Sequence, residues 1–550
     1  MSRFNNSIHR WVPIMTIWAL AALVVPCVAL GITEQLTPAA FATAVLLPLG
    51  VYTLFTGVSR RPLIAMLLLF PWTFLSAFQI VLLYLFGKSI IAVDMFLNVV
   101  TTNVTEASEL LANLLPAIFS VLVLYLPPII MAIVAACKNA RLTRHFLLRT
   151  RITGVAITAT GLLCLTGAYL TVPHYRMIND LFPVNVCYNL KLAIQRTCET
   201  KRYQTTPPDY QFATVSERAD SIPELYVVVI GETSRADNWQ LFGYERPTTP
   251  DLMDVEGLVA YPHTLSESNT THKSVPMLLS HVDSYTFADS LSYIKSLITA
   301  FKEGGYATAA VSNQQHNGSY IDFFLQEADT CLFLKDISPD TKDIELTGHI
   351  RDILTADNTK QLIVVHTYGS HFKYNDRYPE EFAYFTPDAP LEALPALRPK
   401  LINAYDNTIR YTSRLLGDII AMLNEYHGVS AMIYTSDHGE DIFDDERHLF
   451  LHASPTPSYW QLHVPLLIWM SRDFRERYPA LEAAARSNVN SQVSSSASLF
   501  PTLMSLAGLR AGVVDTTRSL ASPAYRPRPH TYLTDRNESV DIATFSISEP

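Results

Sequence analysis

Two patterns of apolar residues divide the chain. Over the first 172 residues they run in long blocks with almost no charge inside; beyond about residue 223 they come as short runs bounded by polar segments. Five blocks approach the ~20 residues a helix needs to cross a bilayer. They cover residues 11–30, 40–58, 63–86, 114–136 and 152–172. The first has the length of a secretory leader. No convincing small-residue cleavage site follows it and four similar blocks do, so it is read as a retained helix. Arg3 and Arg10 precede the first block, Arg60 and Arg61 separate the second from the third, and Lys138, Arg141, Arg144, Arg149 and Arg151 separate the fourth from the fifth. The alternate connections carry Glu34 in one, and Lys88, Asp94, Glu106 and Glu109 in the other. Positive loops stay on the cytoplasmic side. The N-terminus is therefore expected inside the cell and everything past residue 172 outside, which for a bacterial inner membrane means the periplasm.

The later runs read as buried strands: "ELYVVVIGE", "YATAAVSN", "QLIVVHTYG", "SAMIYTSDHG" and "HVPLLIWM". Helical patterns over 289–303, 401–426 and 492–507 alternate with them. Continuous apolar strands alternating with helices predict a doubly wound, mostly parallel α/β sheet covered on both faces. The expected domains are a five-helix transmembrane domain (1–172), a connector (173–223) that is part helical and part Pro-rich, and a soluble domain (224–550). In such sheets ligands bind at the carboxyl ends of the strands. Glu232, then His366 and His371, then Asp437 and His438 each follow one of these strands.

Composition changes this picture little. A mean hydropathy of +0.15 averages an apolar part with a polar one, and a formal charge of −10 argues against a nucleic-acid partner. Cys27, Cys137 and Cys164 lie in or beside the apolar blocks as packing residues. Cys187 and Cys198 lie close together in the exported connector, where a local disulfide is open; Cys331 has no evident role.

The candidate chemistry gathers at the strand ends. Asp437 and His438, with Gly439 allowing a turn, can both ligate one zinc ion; the competing reading is a polar loop. Glu232 in "GETSRADN" suits a metal or a helix start, and Arg235 and Asp237 could pair with each other. In "SESNTTHKSVPMLLS", Thr270 or Thr271 needs a metal or base to become a nucleophile; the alternative is a capped loop. His371 in "HTYGSHF" and His452 in "LFLHAS" can bind a second metal or donate to phosphate oxygens. His366, His448 and His463 read as structural, and Asp444, Asp445 and Glu446 as a solvated loop. Among the apolar blocks, Asn98, Thr102 and Glu106 share one helical face at i, i+4, i+8. They suit a lipid headgroup or the wet side of an interfacial helix.

Together "VVVIGETSRADNWQLFGY", "TTHKSVP", "SDHGE" and "LFLHAS" followed by "HVPLLIW" resemble the phosphoethanolamine transferases of Gram-negative inner membranes, in the alkaline phosphatase and sulfatase superfamily. The resemblance spans nearly the whole chain. It implies an alkaline-phosphatase-like catalytic domain, one zinc held by Glu232, Thr271, Asp437 and His438 (a second divalent ion being left open), and Thr271 as nucleophile. It further implies His371 and His452 at the substrate or second metal, and Asn98, Thr102 and Glu106 at a lipid headgroup. Phosphatidylethanolamine would be the donor and lipopolysaccharide the acceptor, at a lipid A phosphate or a core sugar, with polymyxin resistance as a consequence; a monomer is expected. The lipid A enzymes of that family commonly pair a Cys after Ser-Val-Pro with one before the Thr. Here Met277 follows Pro276, Glu267 and Ser268 stand upstream, and "SNQQHNGSYIDFF" lacks the family's phosphate-contacting Lys. The acceptor therefore does not carry over. A sulfatase's C/S-x-P-x-R setting is absent, and the rival activity is phosphoglycerol transfer to a membrane glycan.

Overall fold

The computed structural model describes the chain apart from residues 1, 87–89, 102–113, 219–220, 355–358, 391, 546 and 548–550. The chain divides into two compact units, Met1–Phe96 with Leu110–Ile194, and Leu97–Glu109 with Gln195–Pro550.

The first unit is helical: α1 (Ser2–Thr33), α2 (Pro38–Thr56), α3 (Pro62–Phe86), the start of the short α4 (Val93–Thr101, from Leu97 on in the second unit), α5 (Leu115–Cys137) and α6 (Arg144–Thr171). All but α4 are long and apolar enough to cross a membrane, which makes this a multi-pass membrane protein. Helix α6 starts well before the apolar block because Thr143 caps it, its hydroxyl accepting the Phe146 N–H at 3.1 Å. In an apolar setting hydroxyls need an internal partner; Thr53 and Thr158 donate to the carbonyls of Leu49 and Gly154, both at 2.7 Å. Helices α2 and α6 approach closely through small residues. A Cβ added at Gly161 would lie 2.8 Å from Leu47 Cα.

Next comes α7 (Val184–Thr205), which carries both Cys187 and Cys198. Both thiols are free. Eleven residues along one helix separate them by about 16 Å, so the local disulfide left open from sequence does not form.

The second unit is built on a seven-stranded sheet. Its strands are β1 (Glu224–Gly231), β2 (Leu258–Ala260), β3 (Ala307–Ser312), β4 (Thr330–Phe333), β5 (Lys360–His366), β6 (Val429–Ser436) and β7 (Leu466–Met470). The spatial order is β2-β7-β6-β1-β5-β3-β4. Strands β6, β1, β5, β3 and β4 pair in parallel. Strand β7 alone runs against its neighbours, so the sheet is mixed, though mostly parallel. Strands β1, β5 and β6 are buried along their whole length, as central strands covered on both faces must be.

Two apolar layers cover the sheet. One includes α8 (Thr271–Leu278) and α10 (Ser495–Ala507), with Val275, Leu278, Leu503 and Met504 packed among Tyr226, Val228 and Ile230. The other includes α9 (Arg398–Asn424), with Ile409, Leu416 and Ile419 packed among Val227, Val229 and Val365. The helical pattern over 289–303 breaks in two. Ile294 is extended, and Ser296 starts a new helix, Leu297–Glu303, by accepting the Ile298 N–H.

Candidate active site

The register sets the site. Ile230 pairs with both His366 and Thr435, and Gly231 with Ser436. The residues just beyond these pairs, Glu232, Thr367 and Asp437, leave the sheet at one level. Asp437 N–H donates to the Gly231 carbonyl (3.1 Å) and Thr367 N–H to the Ile230 carbonyl (3.0 Å). Gly369 then passes over Glu232 with φ +55°, where a Cβ would meet the Glu232 carbonyl at 2.5 Å.

Glu232, Asp437 and His438 each offer one ligand atom, all within 4.8 Å of one another, and all three residues are buried. His438 Nε2 lies 3.2 Å from Asp437 Oδ2 and 3.6 Å from Glu232 Oε1. Thr271, first residue of α8, completes the group. Its Oγ1 is 3.2 Å from Glu232 Oε1 and 3.1 Å from His438 Nε2. Thr270 does not take part; its hydroxyl turns to Ser268 Oγ at 3.1 Å.

The donor set fits a tetrahedral zinc. Ligand atoms about 2.0 Å from such an ion are about 3.3 Å apart, and the four distances run from 3.1 to 3.6 Å. The protonation pattern agrees. His438 Nδ1 donates to the Gly439 carbonyl (2.9 Å), which leaves Nε2 as a lone-pair donor. Asp437 Oδ1 accepts the N–H groups of Thr233 (3.0 Å) and His438 (2.7 Å), while its Oδ2 is buried with no hydrogen bond among the described residues. Burial, then the charge of Asp437, pushes the Glu232 carboxyl well above the usual range; burial raises Asp437 too and holds His438 well below an ordinary imidazole. Two buried carboxylates beside a neutral imidazole call for a cation.

His371 and His452 stand over the cluster. The His452 ring centroid is 4.2 Å from that of His438 and 5.9 Å from that of His371. His371 Nδ1 donates to the Phe372 carbonyl (2.6 Å), leaving Nε2 as an acceptor; burial, then His452, lowers its pKa. Strand β7 explains the approach of His452. Because β7 is antiparallel, the chain entering it lies at this same edge, and the Ala453 N–H reaches the Asn269 carbonyl (3.1 Å) near Thr271.

Of the headgroup candidates, Asn98 is half-buried on α4, and Thr102 and Glu106 lie outside the described residues. Arg235 and Asp237 do not pair. Arg235 binds Asp444 (2.7 Å) and Asp237 faces His463 (3.0 Å). Asp444 is not solvated as its acidic string suggested. It is buried between Arg235 and Arg398, each at 2.7 Å. Glu440 escaped the sequence reading, although "SDHGE" contains it. Fully buried, it accepts the Tyr374 hydroxyl (2.8 Å) and faces His452 Nδ1 at 3.5 Å. His366 is buried with neither ring nitrogen hydrogen-bonded among the described residues.

Residues 224–509 match the model of a protein family described as Sulfatase. They make up more than half of the 550 residues. The chain belongs to the sulfatase family. The matched residues contain the whole cluster, Thr271 included. Among curated relatives, the chain is 29% identical over 312 residues to phosphoethanolamine transferase EptA of Salmonella typhimurium, covering 55% of this chain and 56% of that protein. It is 27% identical over 329 residues to phosphoethanolamine transferase EptC of Escherichia coli, covering 57% and 56%. It thus spans about half the length of the curated relatives it matches. Among solved structures, the zinc complex of the periplasmic domain of E. coli EptC superposes with a TM-score of 0.56 at 25% identity, over 62% of this chain and 97% of that one. The integral membrane EptA of Neisseria meningitidis gives 0.73 at 21% identity, over 94% and 98%. The last likeness extends the shared fold beyond the sulfatase domain to the membrane helices.

Proposed function

We propose that this protein is a phosphoethanolamine transferase of a bacterial inner membrane. The sulfatase domain lies in the periplasm, and the protein moves the headgroup of phosphatidylethanolamine onto lipopolysaccharide. The observation that carries this reading is the Thr271 hydroxyl within 3.2 Å of both Glu232 and His438, inside a cluster spaced for zinc. The names of the relatives supply the transferred group, and the basic loops supply the orientation.

Thr271 Oγ forms a bond to the donor phosphorus as the bond to diacylglycerol oxygen breaks, leaving phosphoethanolamine esterified to the enzyme. The hydroxyl proton passes to a neighbouring base and the diacylglycerol oxygen takes one up; His452, whose ring stands beside that of His438, and His371 beyond it are the imidazoles assigned these roles. The acceptor oxygen then attacks phosphorus and Thr271 Oγ leaves. Glu232, Asp437, His438 and Thr271 would hold a zinc ion, which when bound would supply positive charge to ease deprotonation of the Thr271 hydroxyl and to offset the charge on the phosphoryl oxygens. Residues 98, 102 and 106 hold the donor's ammonium, and the enzyme acts as a monomer. The product adds an ammonium to the outer surface, which weakens binding of cationic peptides such as polymyxin.

Full-length protein in lipid nanodiscs containing fluorescent phosphatidylethanolamine tests this. Wild type should gain one phosphoethanolamine, mapped by mass spectrometry to Thr271, and release diacylglycerol; Thr271→Ala should do neither. A labelled Thr271→Ala enzyme, or a phosphoglycerol adduct on wild type, would sink the proposal.

A further inference from the structure

The acids of the helical unit all fall toward one end of it. Residues 1–33, 35–93 and 110–179 contain no Asp or Glu. Glu34, Asp94 and Asp180 stand where α1, α3 and α6 finish. The opposite end, where α1 and α6 start and α2 turns toward α3, carries cations alone. Arg10, Arg61, Lys138, Arg141, Arg144 and Arg149 are all exposed there.

Two connections at this end are tied to each other. The Leu142 N–H donates to the Arg60 carbonyl (2.8 Å), and Arg60 Nε donates to the Leu142 carbonyl (2.9 Å). Arg151 Nε donates to the Gly57 carbonyl at 2.8 Å. Ala140 and Leu142 are buried in a cluster with Val12 and Leu147, while Arg141 between them faces outward. The cations are thus displayed on a packed platform. A basic loop is enough to orient a membrane protein; joining two such loops is a further feature. It has a cost. Arg144 and His145 occupy the first turn of α6 with no acid in that turn, and cations there oppose the positive end of the helix dipole. A bound anion would offset both that opposition and the mutual repulsion of the cations. Leu148 and Ile152 follow Arg144 at four-residue steps, so they share its face of α6, and both are exposed. Cations above an apolar flank match a lipid phosphate above its acyl chains.

We infer that this end of the helical unit binds an anionic phospholipid, its phosphate held where the α2–α3 and α5–α6 connections join and its chains lying along α6. Basic sites at the ends of membrane helices take such headgroups. The inference needs only the membrane helices and is independent of which group the protein transfers.

Full-length protein in detergent, titrated with phosphatidylglycerol, cardiolipin or phosphatidylcholine of the same chains and followed by native mass spectrometry, tests this. Wild type should bind the anionic lipids about tenfold more tightly than phosphatidylcholine, as two cations near a lipid phosphate allow. Arg141→Gln with Arg144→Gln should lose that preference, and Arg141→Lys with Arg144→Lys should keep it. Cardiolipin binding more tightly per phosphate would name a two-phosphate lipid as the occupant, and equal binding a single phosphate; either supports the inference. A measurement on wild type alone guards against a variant that folds poorly. In nanodiscs, replacing phosphatidylcholine by phosphatidylglycerol should raise Tm, and about 1 M salt, with a Debye length of ~3 Å, should remove most of the rise. Equal affinity of wild type for anionic lipid and phosphatidylcholine, or an unchanged preference in the glutamine variant, overturns the inference.

Discussion

Acid should strip the metal from this site along a slope that the cluster's geometry sets. Glu232, Asp437 and His438 present their ligand atoms within 4.8 Å of one another. Two carboxylates no farther apart than that repel by at least about 3.5 kcal/mol at an effective dielectric of ~20, before burial adds its own cost. Burial raises both carboxyls above the ordinary range, and the charge of Asp437 adds to the rise at Glu232. The imidazole of His438 is pushed the other way by burial and is already neutral. Metal-free protein should therefore keep a carboxyl proton well above pH 4, and a divalent ion must expel it. Zinc affinity is then expected to rise about tenfold per pH unit through that window, with about one proton released per ion. Stability follows with a definite sign. As pH rises past the ordinary carboxyl pKa, the unfolded chain releases protons that the metal-free folded chain retains, so the metal-free domain loses stability. The zinc-bound domain escapes that loss, and the gain in Tm on adding zinc should widen from pH 5 to pH 7. Calorimetry in buffers of different ionisation enthalpy counts the protons, and thermal melts at each pH follow the stability. Zinc binding that is pH-independent and releases no proton would refute the assignment of Glu232 and Asp437 to one ion.

Two further outcomes probe how the cluster is held. Gly369→Ala adds a Cβ 2.5 Å from the Glu232 carbonyl at φ +55°, which costs about 1–2 kcal/mol for the left-handed backbone alone and more for the clash. A lower Tm together with sub-stoichiometric zinc is expected; a variant with normal metal content and Tm would show that Gly369 does not position Glu232. Glu440→Gln keeps the shape of the carboxylate facing His452 and Tyr374 but removes its charge. Transfer should fall roughly 10- to 100-fold, as when a carboxylate behind a functional imidazole is lost, with zinc content unchanged. Wild-type transfer would show that Glu440 is only packing.

Much of this site was legible in the sequence because parallel strands deliver their next residues to a common edge. The continuous apolar runs ending at Gly231, His366 and Ser436 mark β1, β5 and β6, and Glu232, Asp437 and His438 follow two of them at once. The membrane helices were legible for a simpler reason, since their apolar blocks outlast anything a soluble core needs. What stayed hidden depends on partners far away in the chain. Strands β2 and β4 are three and four residues long, too short to show a period. "HVPLLIWM" reads alike in either direction, so the reversal of β7, which brings His452 to the site, could not be seen. Asp444 looked solvated because its arginines lie 209 and 46 residues away. The possible pairing of Cys187 with Cys198 took no account of one helix holding both.

The loop before Thr271 is held by buried polar contacts, with no cysteine in it. The loop leading to Thr271 carries Glu267, a fully buried carboxylate whose pKa burial raises. Its Oε1 accepts the hydroxyls of Ser284 and Thr531, both at 3.0 Å, and its Oε2 accepts that of Ser496 at 2.6 Å. Its carbonyl takes the Leu533 N–H at 2.8 Å. One side chain thus ties the loop to the segment after α8, to α10 and to the antiparallel strand pair Thr531–Leu533 and Ser539–Asp541. Two residues on, Asn269 adds Tyr532, Gln461 and the Ser454 carbonyl. A buried network holds its geometry only while every member is satisfied, and this one is anchored at both ends of the short stretch before Thr271. A hydroxyl that must stay within a few tenths of an ångström of two ligand atoms can therefore do without a disulfide, provided the carboxylate of Glu267 keeps its three hydroxyl donors.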